Sequence, residues 1–184
     1  MPNNFIVKGF NEEETPPAPK ETETKEEKNM KGETLEGLLK TAVVDELLAA
    51  YNYMASYTLS RTTGKVDFDP EFEQHEKEEY SHAHKLLMRL REIDSDGILS
   101  MDWKNFPTQN SMGKSWKQEK GNNSLKILDG RIHEEEKAIE FYSRILEFIK
   151  EQPEWDTTTE QLIKEIKADE ERHLLDLRDL RRQQ

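Results

Sequence analysis

Four segments of the chain repeat an apolar residue every three or four positions, and a glutamate interrupts each repeat near its middle. These glutamates are Glu46, Glu79, Glu135 and Glu170. Because this spacing places residues on one face of an α-helix, each glutamate is predicted to point into the core beside apolar neighbours. The chain must therefore bring four carboxylates together and neutralise them, since an isolated buried carboxylate is very unfavourable.

The second and fourth segments extend the glutamate into an E-x-x-H motif, at Glu79–His82 and Glu170–His173. In the first and third segments the glutamate stands alone and is followed seven residues later by a tyrosine, Tyr53 or Tyr142. Residues three apart share a helix face, so each motif points two side chains in the same direction. One such motif would mean little in a glutamate-rich chain, and the prediction rests on the repeated layout.

A four-helix bundle that takes one glutamate from each of two helices, and E-x-x-H from each of the other two, binds two metal ions. Two divalent cations would balance the four carboxylates. Oxygen ligands with one imidazole per ion suit iron or manganese, whereas the lack of thiolate disfavours zinc and copper. The predicted ligands, which are also the predicted catalytic residues, are Glu46, Glu79, His82, Glu135, Glu170 and His173. We interpret His75 and His84 as surface residues or neighbours of the site, whereas His133 lies just off the core-facing series and belongs to no motif.

Local signals predict where the helices begin and end. The first helix is predicted from near Thr34 to about Ser60. Asp69–Pro70 begins the second, as an N-cap followed by proline at the first helical position. The third is predicted from about residue 122 until Pro153, and the capping box Thr157-x-x-Glu160 begins the fourth.

The connections predict the topology. Short turns join the first helix to the second and the third to the fourth, whereas residues 94–123 form a long connection. The predicted fold class is therefore all-α, a four-helix bundle with one long crossover, and the bundle domain covers residues 32–184. Residues 1–31 are rich in Glu, Lys, Thr and Pro, so they are predicted to form a disordered acidic arm. The sequence identifies no partner for this arm.

Composition excludes several classes of function. The net charge of −12 over 184 residues argues against nucleic acid, because binding phosphate needs a cationic surface. No cysteine is present for a disulfide framework or a zinc ribbon. No apolar run approaches the ~20 residues of a membrane span, and the N-terminus lacks a signal-like stretch. These observations predict a cytoplasmic protein that associates with neither membranes nor nucleic acid.

Over residues 34–184 the chain resembles the ferritin-like superfamily, especially bacterioferritins and Dps-like mini-ferritins. The resemblance is carried by the segments DELLAAYNYMA, EKEEYSHAHKLLMRL, EEEKAIEFY and IKADEERHLLDL. It implies two iron ions per subunit, with manganese as the other possibility. Glu46 and His82 would be terminal ligands of one ion and Glu135 and His173 of the other, with Glu79 and Glu170 bridging. The resemblance also implies hydrogen bonds from Tyr53 and Tyr142 to the site and an orienting role for Asp169.

The resemblance implies an enzyme that oxidises Fe(II) with peroxide or dioxygen and stores the product, which would limit oxidative stress. Haem-binding bacterioferritins have methionine where this chain has Tyr80, so no haem is expected. Dps-like mini-ferritins often carry a cysteine pair near the bundle, which this sequence lacks. The alternatives are a manganese catalase, which uses nearly the same ligands, and a structural assembly protein.

The resemblance further implies a closed homo-oligomeric cage. Larger ferritins add a fifth helix after the fourth, whereas only eleven residues follow His173 here. The long connection has room for the short helix that mini-ferritins place there. Its Trp103, Phe106 and Trp116 are the residues expected at a subunit contact. A dodecamer is therefore predicted.

Overall fold

The computed structural model describes residues 33–63, 69–94, 96 and 124–183. This part of the chain forms four α-helices and no β-strand: α1 (Leu35–Thr63), α2 (Asp69–Ile93), α3 (Ser124–Glu151) and α4 (Thr157–Arg182). The predicted all-α four-helix bundle is confirmed. The predicted arm at residues 1–31 and most of the predicted crossover, with Trp103, Phe106 and Trp116, lie outside the described residues.

Pairs of hydrogen bonds between helices show how the bundle is arranged. Tyr53, late in α1, contacts Glu135 near the start of α3, whereas Glu46, earlier in α1, contacts Tyr142 further along α3. These two helices are therefore antiparallel, and the contacts between α2 and α4 follow the same reversed order. Because α1 also packs antiparallel to α2, helices α2 and α3 run in the same direction. That direction agrees with the long connection predicted between them.

Two apolar layers lie on either side of the level occupied by the four glutamates. One layer, at the end where α2 and α3 begin, contains Tyr53, Phe72, Leu128 and Leu177. Fully buried residues of the opposite layer include Leu39, Leu86, Leu90, Ile149 and Ile163. Burying each side chain of this size contributes about 1.5–3 kcal/mol, so these layers hold the four helices around the polar centre. No described helix is both long and apolar enough to cross a membrane.

Helix α4 begins with an aspartate cap that also ties it to α2. The Asp156 carboxylate accepts hydrogen bonds from the Thr159 backbone N–H at 2.9 Å and from the Thr159 hydroxyl at 2.6 Å. Arg89 of α2 donates to the same carboxylate at 2.7 Å. The predicted capping box at Thr157–Glu160 is therefore wrong by one residue. Glu160 instead accepts from the indole of Trp155, and an aspartate just before the helix satisfies its first N–H groups.

Replacing Asp156 with alanine should reduce the free energy of unfolding by about 1–2 kcal/mol, because it removes the cap and one of the hydrogen-bond partners of Arg89. Thr157→Ala is the matched control. Thr157 is exposed, so its substitution should reduce the free energy of unfolding by about 0.5 kcal/mol or less. Urea denaturation of both variants at one fixed protein concentration measures the difference. A larger loss for Thr157→Ala would contradict the assignment of the cap.

Candidate metal centre

The structure brings the six predicted ligands together at one level of the bundle. Helix α1 contributes Glu46 and α3 contributes Glu135, while α2 and α4 each contribute a glutamate and a histidine. All six side chains are buried, and none is more than 3% exposed. Since residues three apart share a helix face, the glutamate and histidine of each motif point into the same space. The bundle thus holds four carboxylates and two imidazoles in its interior.

The ligand atoms form two overlapping groups, and within each group they lie no more than 4.8 Å apart. The first group contains Glu46, Glu79, His82 and Glu170, and the second contains Glu79, Glu135, Glu170 and His173. Glu79 and Glu170 belong to both groups. Each group offers three carboxylates and one imidazole, and the two shared carboxylates lie between them.

Each histidine directs its Nδ1 atom at the carboxylates. His82 Nδ1 lies 3.0 Å from a Glu170 oxygen, 3.3 Å from Glu46 and 3.4 Å from Glu79. His173 Nδ1 lies 3.1 Å from Glu79 and 3.4 Å from Glu170. One nitrogen surrounded by several acceptor oxygens at these separations is the arrangement that a shared cation would require. We therefore identify Nδ1 as the candidate ligand atom of both rings.

The opposite nitrogen of each ring contacts an acidic residue on the facing helix. His82 Nε2 lies 3.1 Å from Asp169 Oδ2, and His173 Nε2 lies 2.7 Å from Glu78 Oε2. An acceptor at this position fixes the ring orientation and leaves Nδ1 available to a metal ion. Asp169 was assigned this type of role from the sequence, whereas Glu78 was missed. The signal was present, because each E-x-x-H motif directly follows an acidic residue.

Two tyrosines connect α1 and α3 across the site. The Tyr53 hydroxyl donates to Glu135, and the Tyr142 hydroxyl donates to Glu46. Each tyrosine therefore contacts the glutamate of the opposite helix, and each of these glutamates lies in only one of the two groups. One oxygen of each carboxylate is thereby held by a hydroxyl, which restricts the rotation of the carboxylate.

Several atoms of the six predicted ligands lie close to one another but make no well-aligned hydrogen bond with any described residue. They are Glu46 Oε2, Glu79 Oε1, His82 Nδ1, Glu170 Oε1 and His173 Nδ1. Buried polar atoms are nearly always satisfied in folded proteins, and an exception calls for an explanation such as a bound ion. All five atoms belong to the two ligand groups. The donor set therefore fits two divalent cations, with oxygen and imidazole ligands suited to iron or manganese.

Comparison with known protein families matches residues 36–183 to the ferritin-like domain. The chain belongs to the ferritin-like family. A comparison with curated proteins finds no match. Among solved structures, this chain is similar to the bacterioferritin-related protein from Bacteroides fragilis, which is described as a dodecameric thioferritin. The two share 29% identity with a TM-score of 0.67, over 79% of this chain and 82% of that chain.

The carboxylates of this ferritin-like site differ in how readily they ionise. Burial raises the pKa of Glu46 and of Glu135 well above the usual range, and the charges of Glu170 and Glu79 raise both further. Burial acts in the same direction on Glu79, but contact with the two histidines lowers its pKa below the usual range. In the metal-free protein, Glu46 and Glu135, each of which belongs to only one ligand group, therefore hold protons.

The histidines hold protons strongly in the metal-free protein. Burial alone would lower the pKa of His173, but its contacts with Glu170 and Glu79 raise it to about 12. Burial also opposes protonation of His82, whose pKa is raised by contact with Glu170, Glu46 and Glu79. Protons thus supply part of the positive charge that the carboxylates require. A metal ion has to displace these protons, because a ligand histidine must be neutral.

A cavity between α1 and α3 reaches the site. Its lining includes the ligands Glu46 and Glu135, together with the small side chains Ala49 and Ala138, which follow those glutamates by three residues. Small residues at these two positions leave space next to the carboxylates of Glu46 and Glu135. Glu134 also lines the cavity and is paired with Arg131 at 2.7 Å. The cavity is a candidate route for small reactants.

The remaining histidines differ in their surroundings. His84 is exposed, in agreement with its interpretation as a surface residue, and His133 is exposed as well. His75 is not a surface residue, because its side chain is fully buried and its ring stacks on that of His173 with 4.1 Å between centroids. His75 lies four residues, about one helical turn, before Glu79. Because residues four apart share a helix face, both side chains lie on the inner face of α2.

The metal-free protein should lose stability as the pH rises from 7 to 9. In that range the folded site keeps protons on His82 and His173 that the unfolded chain has released above about pH 6.5. Because the folded state then binds more protons, stability falls with pH, by up to about 1.4 kcal/mol per unit for each such proton.

Urea denaturation of chelator-treated protein at pH 7, 8 and 9 measures this slope. The same series with Mn(II) is the control, and the slope should disappear or reverse because metal binding releases the protons. Metal-free stability that rises over this range would contradict the assigned protonation.

Proposed function

We propose that this ferritin-like protein is an iron-oxidising and iron-storing mini-ferritin of the Dps-like type. Its substrates are Fe(II) and either peroxide or dioxygen. The observation that carries the proposal is the pair of buried ligand groups that share Glu79 and Glu170. Membership of the ferritin-like family supports iron oxidation and storage at a general level.

The shared carboxylates explain why two ions would bind as a unit. In this proposal Glu79 and Glu170 bridge the ions, while Glu46 with His82 and Glu135 with His173 complete the two ligand sets. Two Fe(II) ions supply two electrons, the number needed to reduce one hydrogen peroxide to two waters with two protons. Holding both ions side by side therefore allows peroxide to be consumed without release of a one-electron product.

The residues around the ligands keep the site in a binding geometry. Asp169 and Glu78 fix the two imidazole rings, so that Nδ1 of each faces the carboxylates. Tyr53 and Tyr142 hold the carboxylates of Glu135 and Glu46. A site whose ligands are already oriented avoids the ordering cost that flexible side chains would incur on binding.

Storage requires an enclosed space for the oxidised product. The similar protein from Bacteroides fragilis is described as dodecameric, which supports a homo-oligomeric cage for this chain. The net charge of −12 would favour the approach of cations to such a cage. The sequence contains no cysteine, so thiol chemistry has no part in this proposal.

Replacing Glu170 with alanine should abolish paired metal binding and slow Fe(II) oxidation by more than about 100-fold, because the side chain serves both ligand groups. Glu171→Ala is the matched control, since Glu171 is the next residue on α4, is exposed and pairs only with Lys167 among the described residues. Stopped-flow absorbance during anaerobic Fe(II) loading followed by peroxide, and separately by dioxygen, measures the rates.

Mineral growth in the wild type and in Glu171→Ala, with loss in Glu170→Ala, would support the proposal. Oxygen evolution from peroxide without mineral would instead identify a catalase that uses the same ligands. A full oxidation rate in Glu170→Ala would contradict the assigned site.

A further inference from the structure

His75 is a buried histidine that the paired site does not use. Its side chain is 0% exposed, and neither ring nitrogen has a hydrogen-bond partner among the described residues. The ring lies between His173, on which it stacks at 4.1 Å, and the edge of Tyr53 at 5.1 Å. Leaving a buried polar group unsatisfied costs about 1–3 kcal/mol, so this imidazole requires a partner that the described residues do not provide.

Two carboxylates that are not among the six predicted ligands lie near this imidazole. Glu71 precedes His75 by one turn on α2, and Asp176 follows His173 by three residues on the neighbouring α4. Glu71, His75 and Asp176 each offer one ligand atom, and these atoms lie within 4.8 Å of one another.

The separation between the imidazole and the aspartate fits a shared ion better than a direct bond. His75 Nε2 lies 3.8 Å from Asp176 Oδ2, which is too long for a hydrogen bond. Two ligand atoms that are each about 2.1 Å from one cation lie roughly 3.0–4.2 Å apart, depending on the angle at the ion. The observed distance falls inside this range.

The cluster is open on its outer side. Glu71 and Asp176 are half-buried, and the side chain of Asp176 is 40% exposed. Within the described part of the chain, neither carboxylate forms an ion pair with a lysine or arginine, although most nearby acidic residues do. A cation could therefore reach the two carboxylates from solvent and meet the imidazole at the inner end.

We propose that Glu71, His75 and Asp176 form a third site for a divalent cation, outside the paired centre. One imidazole with two carboxylates suits a first-row ion such as Fe(II), Mn(II) or Co(II), whereas magnesium and calcium prefer oxygen ligands alone. The third site shares no carboxylate with the paired centre, but its His75 also lies within 4.8 Å of the ligand atoms of Glu135 and His173. His75 stacks on the ligand His173, so the third ion would lie one imidazole away from the pair.

The experiment counts bound Co(II), which is stable in air, by equilibrium dialysis and elemental analysis of the purified full-length protein. The test variant is the double substitution Glu71→Gln and Asp176→Asn, which keeps the shape of both side chains and leaves buried His75 in place. Asp179→Asn is the matched control, because Asp179 is an exposed aspartate on the same helix. Glu170→Ala reports separately on the paired centre.

We expect three Co(II) ions per subunit in the wild type and in Asp179→Asn, and two in the double variant. In Glu170→Ala, the one ion that the third site holds should remain. If the wild type and the double variant both bind two Co(II) ions, the third site is overturned and the paired centre is not. A count of three in the double variant would overturn the third site as well. A single ion that survives Glu170→Ala but is lost in the double variant would support the third site while contradicting the paired centre.

Discussion

The cluster of four buried carboxylates is the constraint on which the rest of this bundle depends. Each of Glu46, Glu79, Glu135 and Glu170 comes from a different helix, so folding the bundle forces their charges together. In the metal-free protein, protons on the histidines and on two of the glutamates reduce the repulsion. The apolar layers on either side hold the cluster in place. In the proposed function, divalent cations replace these protons.

Helical periodicity was sufficient to predict which glutamates face the interior of the bundle. Three consecutive glutamates occur in α3, and only Glu135 continues the apolar series of that helix. In the structure Glu135 is 3% exposed, whereas Glu136 lies on the surface and Glu134 pairs with Arg131. Apolar periodicity also located the three other helices, and turn and capping signals indicated approximately where each begins. A local pattern determines which side chains face inward, and four inward faces determine the bundle.

Some features that depend on contacts between helices were not predicted. Glu78 contacts His173 across the bundle, and this pairing follows from the register of α2 against α4. The buried position of His75 depends on the same register. At the start of α4, Asp156 rather than Thr157 caps the helix, because Arg89 of α2 also binds its carboxylate. A local pattern can mark a candidate such as Glu78, but the register between helices decides which residue it contacts.

Anomalous X-ray diffraction from crystals of the Fe(II)- or Mn(II)-loaded protein tests the central claim most directly. The account predicts two peaks per subunit within the four-glutamate cluster, about 3.5–4 Å apart as in other two-metal sites. One peak should lie beside His82 Nδ1 and the other beside His173 Nδ1, with Glu79 and Glu170 between them. A single peak, or no peak with the six side chains bonded to one another, would contradict it.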